Sequence, residues 1–334
     1  MTKVNIAVIG AGNWGQNLIR VCHELDVLIS IFDHGNSNAI KLSKQYNIPI
    51  NSWQNILEDV NVTAVVIALP AILHAEYAMQ ALQANKHVFI EKPLAMSVVD
   101  AVKLNSLAVQ YNKVLMVGHI LHYHNAFRKL KELVACGEIG DVRYIESIRV
   151  HMGPLRYDAG IIWELLPHDA SMILDICRSS IKSLSVSEQL IYCESKENNL
   201  NGDVIDVNIT FNNGILAKIH SSWLYPKKEQ KFSVLGTRGS IIFEDTAIWS
   251  NKLKMYKYNT SPTVSNKIAK EVLIPLEEAE PLKTEMTHFI DAITQNLIPY
   301  TNAQEGLAVV SLLQTIENKL KITKHTDLVI NNIV

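Results

Sequence analysis

The sequence predicts an α/β protein in which a Rossmann domain, a doubly wound parallel sheet, precedes an α+β domain with a large, mostly antiparallel open sheet. Three observations support this prediction. Short apolar strands alternate with segments of helical spacing as far as about residue 118, and a glycine-rich turn directly follows the first strand. Strands of alternating polarity joined by turn signals follow in the second half. The length of 334 residues also fits two domains.

The first half alternates strands and helices throughout. Its strands are apolar on both faces, which is typical of a parallel sheet covered by helices on both sides. These segments form a predicted first domain over residues 1–118. In chain order we predict strand Val4–Ile9, helix Trp14–Leu25, strand Val27–Phe32, helix Ala39–Tyr46, strand Val62–Leu69, helix Ala75–Ala84, strand Val88–Ile90, helix Val98–Gln110 and strand Val114–Val117.

The second half changes character. Val204–Phe211 largely alternates apolar and polar residues, and Asn213-Gly214 turns the chain into Ile215–Trp223, which is a hairpin signal. We predict a second domain over residues 119–334, with its last helices packing back on the first domain. Its other predicted strands are Val142–Val150, Leu184–Ile191, Lys231–Leu235, Ser240–Phe243 and Ala247–Tyr256, and its last helices are Thr284–Gln295 and Gln304–Leu320.

Composition excludes several classes of protein. Lys and Arg total 31 against 33 for Asp and Glu, so no basic excess points to nucleic acid. The N-terminal apolar run is too short for a signal peptide or a membrane span, and we expect a cytoplasmic protein without a membrane partner. The four cysteines are too far apart for a zinc site or a CxxC pair, and we expect buried free thiols: Cys22, Cys136, Cys177 and Cys193.

The first candidate site is the run GAGNWG, between the first strand and the first helix. Gly10 permits the tight turn, Gly12 lets the backbone approach a pyrophosphate, and Gly15 lets helix and strand pack closely. Asp33 ends the next strand, where a carboxylate can accept the ribose hydroxyls of an adenosine and repel a 2′-phosphate. The pattern therefore predicts NAD as the cofactor. The alternative is a structural glycine turn in another parallel-sheet protein.

The second candidate site is Glu91-Lys92-Pro93, directly after a predicted strand. Ligands of open parallel sheets gather at the carboxyl ends of the strands, where Lys92 falls. Repulsion by a nicotinamidium and loss of hydration would lower its proton affinity, which suits proton transfer with an alcohol. The alternative is a solvated surface lysine in a loop.

The order of these motifs resembles the Gfo/Idh/MocA oxidoreductase family over nearly the whole chain. The resemblance rests on GAGNWG, Leu69-Pro70 with His74 four residues later, the EKP tripeptide, and a downstream His-Asp pair in LLPHDAS. It implies a nicotinamide-dependent oxidoreductase of sugar hydroxyls, with Lys92 and His168 as catalytic residues. It also implies that residues 119–334 bind the substrate and form a homodimer or homotetramer through the C-terminal sheet. The implied cofactor-binding residues are Gly10, Gly12, Asn13, Trp14, Gly15, Asp33, Leu69, His74, Glu91 and Lys92.

His168 has a physical argument of its own. We expect Pro167 in the first turn of a helix, so that His168 lies near the helix N-terminus, where the dipole lowers its pKa and keeps it a neutral base. The family usually has Asp or Asn four residues before this histidine, and this sequence has Glu164. Glu164 and Asp169 are both candidates for the carboxylate that orients the imidazole.

The stretch after the last predicted Rossmann strand is rich in histidine. His119, His122 and His124 have no acidic or Cys ligand at short spacing, so we predict no metal. We expect a strand end that presents Tyr123, His124 and Asn125 to a sugar, together with Glu164 and His168. GHxLxYH, WELLPHD and SWLYPKK resemble the branch of the family that acts on UDP-sugars.

The resemblance implies NAD-dependent oxidation of the carbon 3 hydroxyl of a nucleotide-linked N-acetylhexosamine, giving a 3-keto sugar for later transamination. One alternative is a dehydrogenase or reductase of another sugar, of a uronic-acid sugar nucleotide or of inositol. An alternative of a different class is a non-catalytic NAD-binding regulator, which would need the glycine-rich fingerprint but not Lys92 and His168 together.

Overall fold

The structure is a computed structural model that describes residues 3–35, 37–153, 160–191, 202–258 and 271–331, with side chains as far as Ile322. The chain divides into two compact units. The first comprises Met1–Tyr123 and Ala279–Ser311, and the second comprises His124–Glu278 and Leu312–Val334. None of the helices in the described ranges is long and apolar enough to cross a membrane.

The described part of the first unit contains a five-stranded parallel sheet with the strand order β2-β1-β3-β4-β5. The central strands β1 and β3 are buried along their whole length. This confirms the predicted Rossmann fold. The strands are β1 (Ile6–Ile9), β2 (Leu28–Phe32), β3 (Ala64–Ile67), β4 (His87–Glu91) and β5 (Leu115–Gly118), and the helices are α1 (Gly15–Glu24), α2 (Ser37–Tyr46), α3 (Trp53–Glu58), α4 (Ala71–Gln83) and α5 (Val98–Gln110).

The chain beyond β5 differs from the expected strand end. Residues Ile120–Tyr123 form a 3₁₀ helix, and α6 (Asn125–Ala135) follows immediately. Leu121, His122 and Tyr123 are all buried, so this short helix packs in the interior and does not extend the sheet. The predicted strand before this run is confirmed as β5, and the run itself, which has no alternating apolar pattern, turns into a helix directly after Gly118 and His119.

The described part of the second unit contains an eight-stranded sheet with the order β13-β12-β11-β10-β6-β9-β8-β7. Only the central β6–β9 pair is parallel among its described pairs, which confirms a mostly antiparallel sheet. The predicted hairpin is present as β8 and β9. The elements are β6 (Val142–Met152), α7 (Gly160–Cys177), β7 (Ile181–Gln189), β8 (Val204–Phe211), β9 (Leu216–Ser222), β10 (Leu224–Gly236), β11 (Gly239–Glu244), β12 (Leu253–Lys257) and β13 (Glu271–Leu273).

The two faces of this sheet differ in chemistry. Helix α7 packs against β6, β8 and β9, and α6 packs against β11. Inward-facing residues such as Ile205, Val207 and Ile219 are buried. The opposite face of β8 and β9 carries charged side chains, including Asp206, which lies 3.0 Å from the His220 ring and 3.4 Å from Lys218 Nζ. Period-two alternation therefore sorts this sheet into an apolar and a polar face.

The C-terminal helices are α8 (Pro281–Gln295) and α9 (Ala303–Asn331). Helix α8 and the first residues of α9 belong to the first unit. Leu282, Met286 and Phe289 of α8 join the hydrophobic core formed by the parallel sheet and α1. The ring of Phe289 lies edge-on to Phe89 of β4, with centroids 5.8 Å apart. One apolar stripe at helical spacing therefore places α8 in the Rossmann core.

The cysteines agree only in part with the expected buried thiols. Cys22 and Cys177 are buried and free, whereas Cys136 is exposed. Cys136 is exposed because it caps the end of the amphipathic helix α6. Cys193 lies outside the described residues.

Candidate active site

The glycine-rich turn lies between β1 and α1. Gly10 has a φ of +103°, and a Cβ there would lie 2.5 Å from the carbonyl oxygen of Ala68, so only glycine is accommodated. A Cβ at Gly15 would overlap the carbonyl oxygen of Gly10. A Cβ at Gly12 would meet none of the described atoms within 4 Å. Gly10 and Gly15 therefore serve the fold, whereas Gly12 borders open space into which a phosphate could come.

Asp33 follows β2 and binds the glycine-rich turn directly. Its Oδ2 accepts a hydrogen bond from the N–H of Ala11 at 2.6 Å, and its Oδ1 accepts one from the N–H of Gly35 at 2.6 Å. Each carboxylate oxygen has a second lone pair, so both can still accept a ribose hydroxyl. The carboxylate therefore fixes the turn and can also serve the predicted adenosine site.

Aromatic side chains next to Asp33 were missed by the sequence analysis. The Nε2 of His34 lies 2.6 Å from the hydroxyl of Tyr77 on α4, and its ring stands edge-on to Phe32. Trp53 of α3 packs against Tyr77, with ring centroids 4.9 Å apart. Only the β-α-β topology joins these positions, and no local pattern in the sequence could have found them.

His74 links two turns at the carboxyl edge of the sheet. Its Nδ1 lies 2.7 Å from the carbonyl oxygen of Pro93, and its Nε2 lies 2.8 Å from that of Leu69. Burial lowers its pKa, although the two carbonyl contacts oppose that effect. The ring thus ties the turn after β3 to the EKP turn. Direct contact of Leu69 or His74 with a cofactor stays a prediction.

Glu91 is the last residue of β4, opposite Gly118 of β5. Its carboxylate accepts hydrogen bonds from the indole N–H of Trp14 and from the backbone N–H of Lys92, the latter at 3.3 Å. Burial raises the pKa of Glu91 to about 7, while the Trp14 hydrogen bond, Lys92 and His119 oppose this rise. The EKP turn is therefore joined to the glycine-rich turn through one side-chain contact, and Lys92 lies at the predicted strand end.

Two further carboxyl groups lie near this strand end, one buried and one partly exposed, and sequence reasoning missed both. Glu285 of α8 is 0% exposed, and neither of its oxygens has a hydrogen-bond partner in the described residues. Burial raises its pKa well above the usual range, and Glu91 raises it further. Glu305 of α9 lies 2.7 Å from Nδ1 of the buried His119. Acidic positions on helices ordinarily indicate a solvated face, so no sequence signal distinguished these two.

The residues expected to face a sugar have intramolecular partners. The hydroxyl of Tyr123, which is 2% exposed, lies 3.1 Å from Oγ1 of Thr301. His124 is 3% exposed and its Nδ1 accepts the N–H of Ala126, which caps α6. Asn125 donates through Nδ2 to the carbonyl oxygen of Glu277 at 2.8 Å. These contacts account for the three side chains by packing and capping, and a sugar-binding role stays a prediction.

No arrangement of three or more His, Cys, Asp or Glu side chains in the described ranges could hold a metal ion. His119 contacts Glu305, and His124 lies 3.6 Å from Asp245 and stacks on Trp249. Each of these histidines is therefore engaged in its own local packing.

The helix containing His168 begins earlier than the sequence suggested. Helix α7 runs from Gly160 to Cys177, and Pro167 lies inside it. The expectation that Pro167 opens the helix was wrong, and the dipole argument for a lowered pKa of His168 fails with it. A helix buried on most sides, as α7 is, tolerates an internal proline because packing outweighs the lost N–H. Glu164 and His168 are then one turn apart on one helix face.

Asp169 is fully committed to a different partner. Its Oδ2 accepts from Nε of Arg149 at 2.7 Å, and its Oδ1 accepts from Nη2 of Arg149 at 3.1 Å and from Oγ of Ser147 at 2.6 Å. Both partners lie on β6, so this buried network fastens α7 to the centre of the second sheet. Of the two carboxylates considered for orienting His168, Asp169 is therefore engaged with β6, and an orienting role of Glu164 stays a prediction.

The first unit offers the features that NAD requires. The N-terminus of α1 carries no side-chain cap in the described residues, so its N–H groups and the space at Gly12 can receive the pyrophosphate. Asp33 would hold the adenosine ribose, and its charge disfavours the 2′-phosphate of NADP. Glu91 and Lys92, two strands away at the same edge of the sheet, would face the nicotinamide half.

Two protein-family models match this chain, one in each of its predicted domains. Residues 4–119 match the model of an oxidoreductase family with an NAD-binding Rossmann fold. Residues 127–242 match the model of the GFO/IDH/MocA C-terminal domain. Together the two matches cover more than half of the chain.

Alignments with similar proteins span most of this chain and most of each similar protein. The uncharacterized oxidoreductase YrbE of Bacillus subtilis (strain 168) is 26% identical over 251 residues, which are 72% of this chain and 74% of the relative. The 1,5-anhydro-D-fructose reductase of Ensifer adhaerens is 26% identical over 270 residues, 77% of each chain. The solved structure of the UDP-N-acetylglucosamine 3-dehydrogenase GnnA from Acidithiobacillus ferrooxidans has a TM-score of 0.84 at 22% identity and covers 96% of this chain and 99% of its own. At that identity the likeness establishes the shared fold.

Proposed function

The chain belongs to the Gfo/Idh/MocA oxidoreductase family, and we propose that it catalyses the NAD-dependent oxidation of the carbon 3 hydroxyl of a nucleotide-linked N-acetylhexosamine. The observation that carries the proposal is the EKP turn at the carboxyl end of β4, joined to the glycine-rich turn by the contact between Trp14 and Glu91. This contact supports an arrangement in which Lys92 acts at the nicotinamide end of the same cofactor whose pyrophosphate lies at Gly12.

The protein residues of this reaction have separable tasks. When bound, NAD supplies the hydride acceptor. Lys92, at the strand end, takes part in removing the hydroxyl proton. We assign His168 as the second proton-transfer group, and Glu164, one helical turn earlier, as the carboxylate that orients it. Both groups are assigned to the proton transfer, so neither is named as the sole base.

The choice of sugar is supported by three sequence segments and by the shared fold. The GHxLxYH, WELLPHD and SWLYPKK segments resemble the branch of the family that acts on UDP-sugars. A 3-keto product would suit a later transamination. The relative that reduces 1,5-anhydro-D-fructose favours a second candidate, a dehydrogenase or reductase of another sugar, of a uronic-acid sugar nucleotide or of inositol.

The assembly and the location belong to the same proposal. The polar face of β8 and β9, with Asp206, Lys218 and His220, would be covered by a second copy in a homodimer or homotetramer. We propose a cytoplasmic enzyme whose partners are a nucleotide-sugar and its own copies.

A panel of sugars tests the function. Purified protein is mixed with NAD and separately with UDP-N-acetylglucosamine, UDP-glucose, a UDP-uronic acid, myo-inositol and 1,5-anhydro-D-glucitol, and nicotinamide reduction is followed by absorbance. The proposal expects reduction with the UDP-N-acetylhexosamine and at most slow reduction with the others. Turnover of inositol or of a free sugar alone would favour the second candidate. NAD binding without reduction by any of them would favour a non-catalytic regulator.

A further inference from the structure

One face of strand β6 points at α7 and ends in a histidine. Arg149 is held on that face by Asp169 of α7, with Nε of Arg149 2.7 Å from Oδ2 of Asp169. Residues two apart on a strand lie on the same face, so His151 points to the same side of the sheet. A Cβ at Gly153 would lie 2.6 Å from ring atoms of His151, so the chain that leaves β6 packs directly on the imidazole. The ring is therefore fixed at the end of β6, on the side that faces the helix of His168.

A wide bulge in the neighbouring strand β10 lies opposite His151. Between two paired positions of these strands, β6 has His151 alone, whereas β10 has the four residues 225–228. Extra residues of this kind re-aim side chains and are over-represented next to active sites. Lys227 and Lys228 of the bulge are exposed, and neither has an acidic partner in the described residues. The bulge therefore presents two uncompensated ammonium groups at the end of β6.

Strand alternation places Lys228 on the face of His151. Gln230 pairs with Arg149, and Lys228 precedes Gln230 by two residues, so both lie on the side of the sheet that faces α7. The acidic residue between them, Glu229, lies on the opposite face and does not compensate the ammonium group there. Lys228 and His151 therefore stand next to each other across the two strands.

The electrostatics agree with this placement. Burial lowers the pKa of His151, the cations Lys228 and Arg149 lower it further, and the carboxylate of Glu164 on α7 opposes them. The charge of Arg149 is already compensated by Asp169. The two lysines of the bulge and Arg149 together outnumber Asp169 and Glu164, which leaves a positive excess beside a neutral imidazole. An ammonium group next to an N–H donor is a combination that binds anions.

We propose that Lys228 and His151 bind the anionic part of the substrate, and that this part is the diphosphate of a nucleotide-sugar. Lysine acts on phosphate oxygens as a point charge, and the imidazole adds one N–H donor. The two ammonium groups of the bulge match the charge of a diphosphate better than the single charge of a sugar carboxylate. His168 lies one helical turn from Glu164, so the anion site and the assigned proton-transfer group belong to the same region of the second unit. The inference rests on the proposed function for its choice of substrate.

Binding of UDP to the NAD-saturated whole protein tests this site without any turnover. Saturating NAD occupies the glycine-rich turn, so UDP cannot be held there. Calorimetry should show UDP binding to the parent and a loss of about tenfold or more in affinity for both Lys228→Gln and His151→Phe, because each removes a donor to a charged group. Lys228→Arg should keep most of the affinity. Lys182→Gln, which changes an exposed lysine on β7, is the matched control and should bind UDP like the parent.

A parent-like affinity for UDP in Lys228→Gln would overturn the inference, and so would the absence of UDP binding to the parent. An equal loss in Lys182→Gln would also overturn it, because the effect would then be one of overall charge. If His151→Phe fails to fold, the comparison of Lys228→Gln with Lys228→Arg decides. Glucuronate tests the other source of an anion: glucuronate binding that needs Lys228 while UDP binding does not would assign the site to a sugar carboxylate and contradict the diphosphate.

The same variant separates this inference from the proposed function. UDP binding that depends on Lys228, without oxidation of any sugar, would keep the anion site and contradict the proposed function. Oxidation of the UDP-N-acetylhexosamine with a parent-like KM in Lys228→Gln would keep the proposed function and overturn the anion site. If both hold, Lys228→Gln should raise KM by about tenfold or more and leave kcat nearly unchanged, because the diphosphate is remote from the reacting carbon.

Discussion

Asp169→Asn removes the anionic partner of Arg149 inside the second unit. Asp169 is 1% and Arg149 is 7% exposed, and three hydrogen bonds of 2.6–3.1 Å join Asp169 to Arg149 and Ser147. Removing one member of such a pair leaves a buried charge without compensation and costs about 3–5 kcal/mol of unfolding free energy. For a unit of this size that lowers the melting temperature by roughly 6–20 °C. Differential scanning calorimetry, with hydrogen exchange on β6 and α7 to identify the unit, measures the change.

Two comparisons make this prediction sharp. Asp141→Asn removes a similar contact, 3.3 Å from Arg143, in which both side chains are well exposed, and should change stability by at most about 1 kcal/mol. The double variant Arg149→Met with Asp169→Leu removes both charges and should recover part of the loss. If Asp169→Asn were no more destabilising than Asp141→Asn, the reasoning would be refuted. Asp169 would then again be a candidate for orienting His168.

Three further predictions concern the first unit. Gly12→Ala should fold with near-normal stability but lose at least about tenfold in NAD affinity by calorimetry, because its Cβ fills only the open space for the pyrophosphate. Gly15→Ala should instead be destabilised, because its Cβ overlaps the backbone of Gly10. An NAD affinity in Gly12→Ala equal to that of the parent would contradict this placement of the pyrophosphate. The parent should bind NAD more tightly than NADP, and Asp33→Ala should reduce this difference in affinity. Asp33→Ala should also destabilise the glycine-rich turn, because it removes the hydrogen bond to the N–H of Ala11. Equal affinities of the parent for NAD and NADP would argue against the role of Asp33. Glu285→Gln should stabilise the protein at pH 8 and make little difference near pH 4. A carboxyl group whose pKa is higher in the folded state than in the unfolded state has no cost below the unfolded-state pKa, and it lowers the free energy of unfolding increasingly as pH rises above that pKa. Urea unfolding at the two pH values measures this, and a destabilised variant at pH 8 would contradict a neutral Glu285.

The sequence predicted the parallel sheet because each of its elements carries its own periodicity. Val98–Gln110 coincides with α5, and the predicted strands contain the observed β1, β2 and β3. The hairpin around Asn213-Gly214 could also be predicted, because the Asn-Gly turn and the alternation of apolar and polar residues both indicate it. The helix α3 was missed because six residues are too few to show a helical period.

The errors arose where tertiary packing overrides local rules. Pro167 reads locally as a helix start, but the apolar residues before it bury α7 from Gly160 onward. Tyr123 and His124 were expected to present polar groups at a strand end. In the structure, Tyr123 packs against His288 of α8, and His124 packs against Phe243 of the second sheet. Glu285 could not be predicted, because an acidic residue on a helix shows its burial only when the helix is placed against β4 and β5.

Turnover by Lys92→Met tests most directly the claim that the chain is an enzyme built around the EKP turn. The variant and the parent are saturated with NAD, mixed with the UDP-N-acetylhexosamine, and followed by nicotinamide absorbance, with Lys103→Met on the exposed face of α5 as the matched control. We predict a loss of about 10²- to 10⁴-fold in kcat for Lys92→Met, nearly unchanged NAD affinity, and full activity in Lys103→Met. A kcat of Lys92→Met within about threefold of the parent would contradict a catalytic role of Lys92, because the loss would be far smaller than the loss expected when a positioned acid-base group is removed.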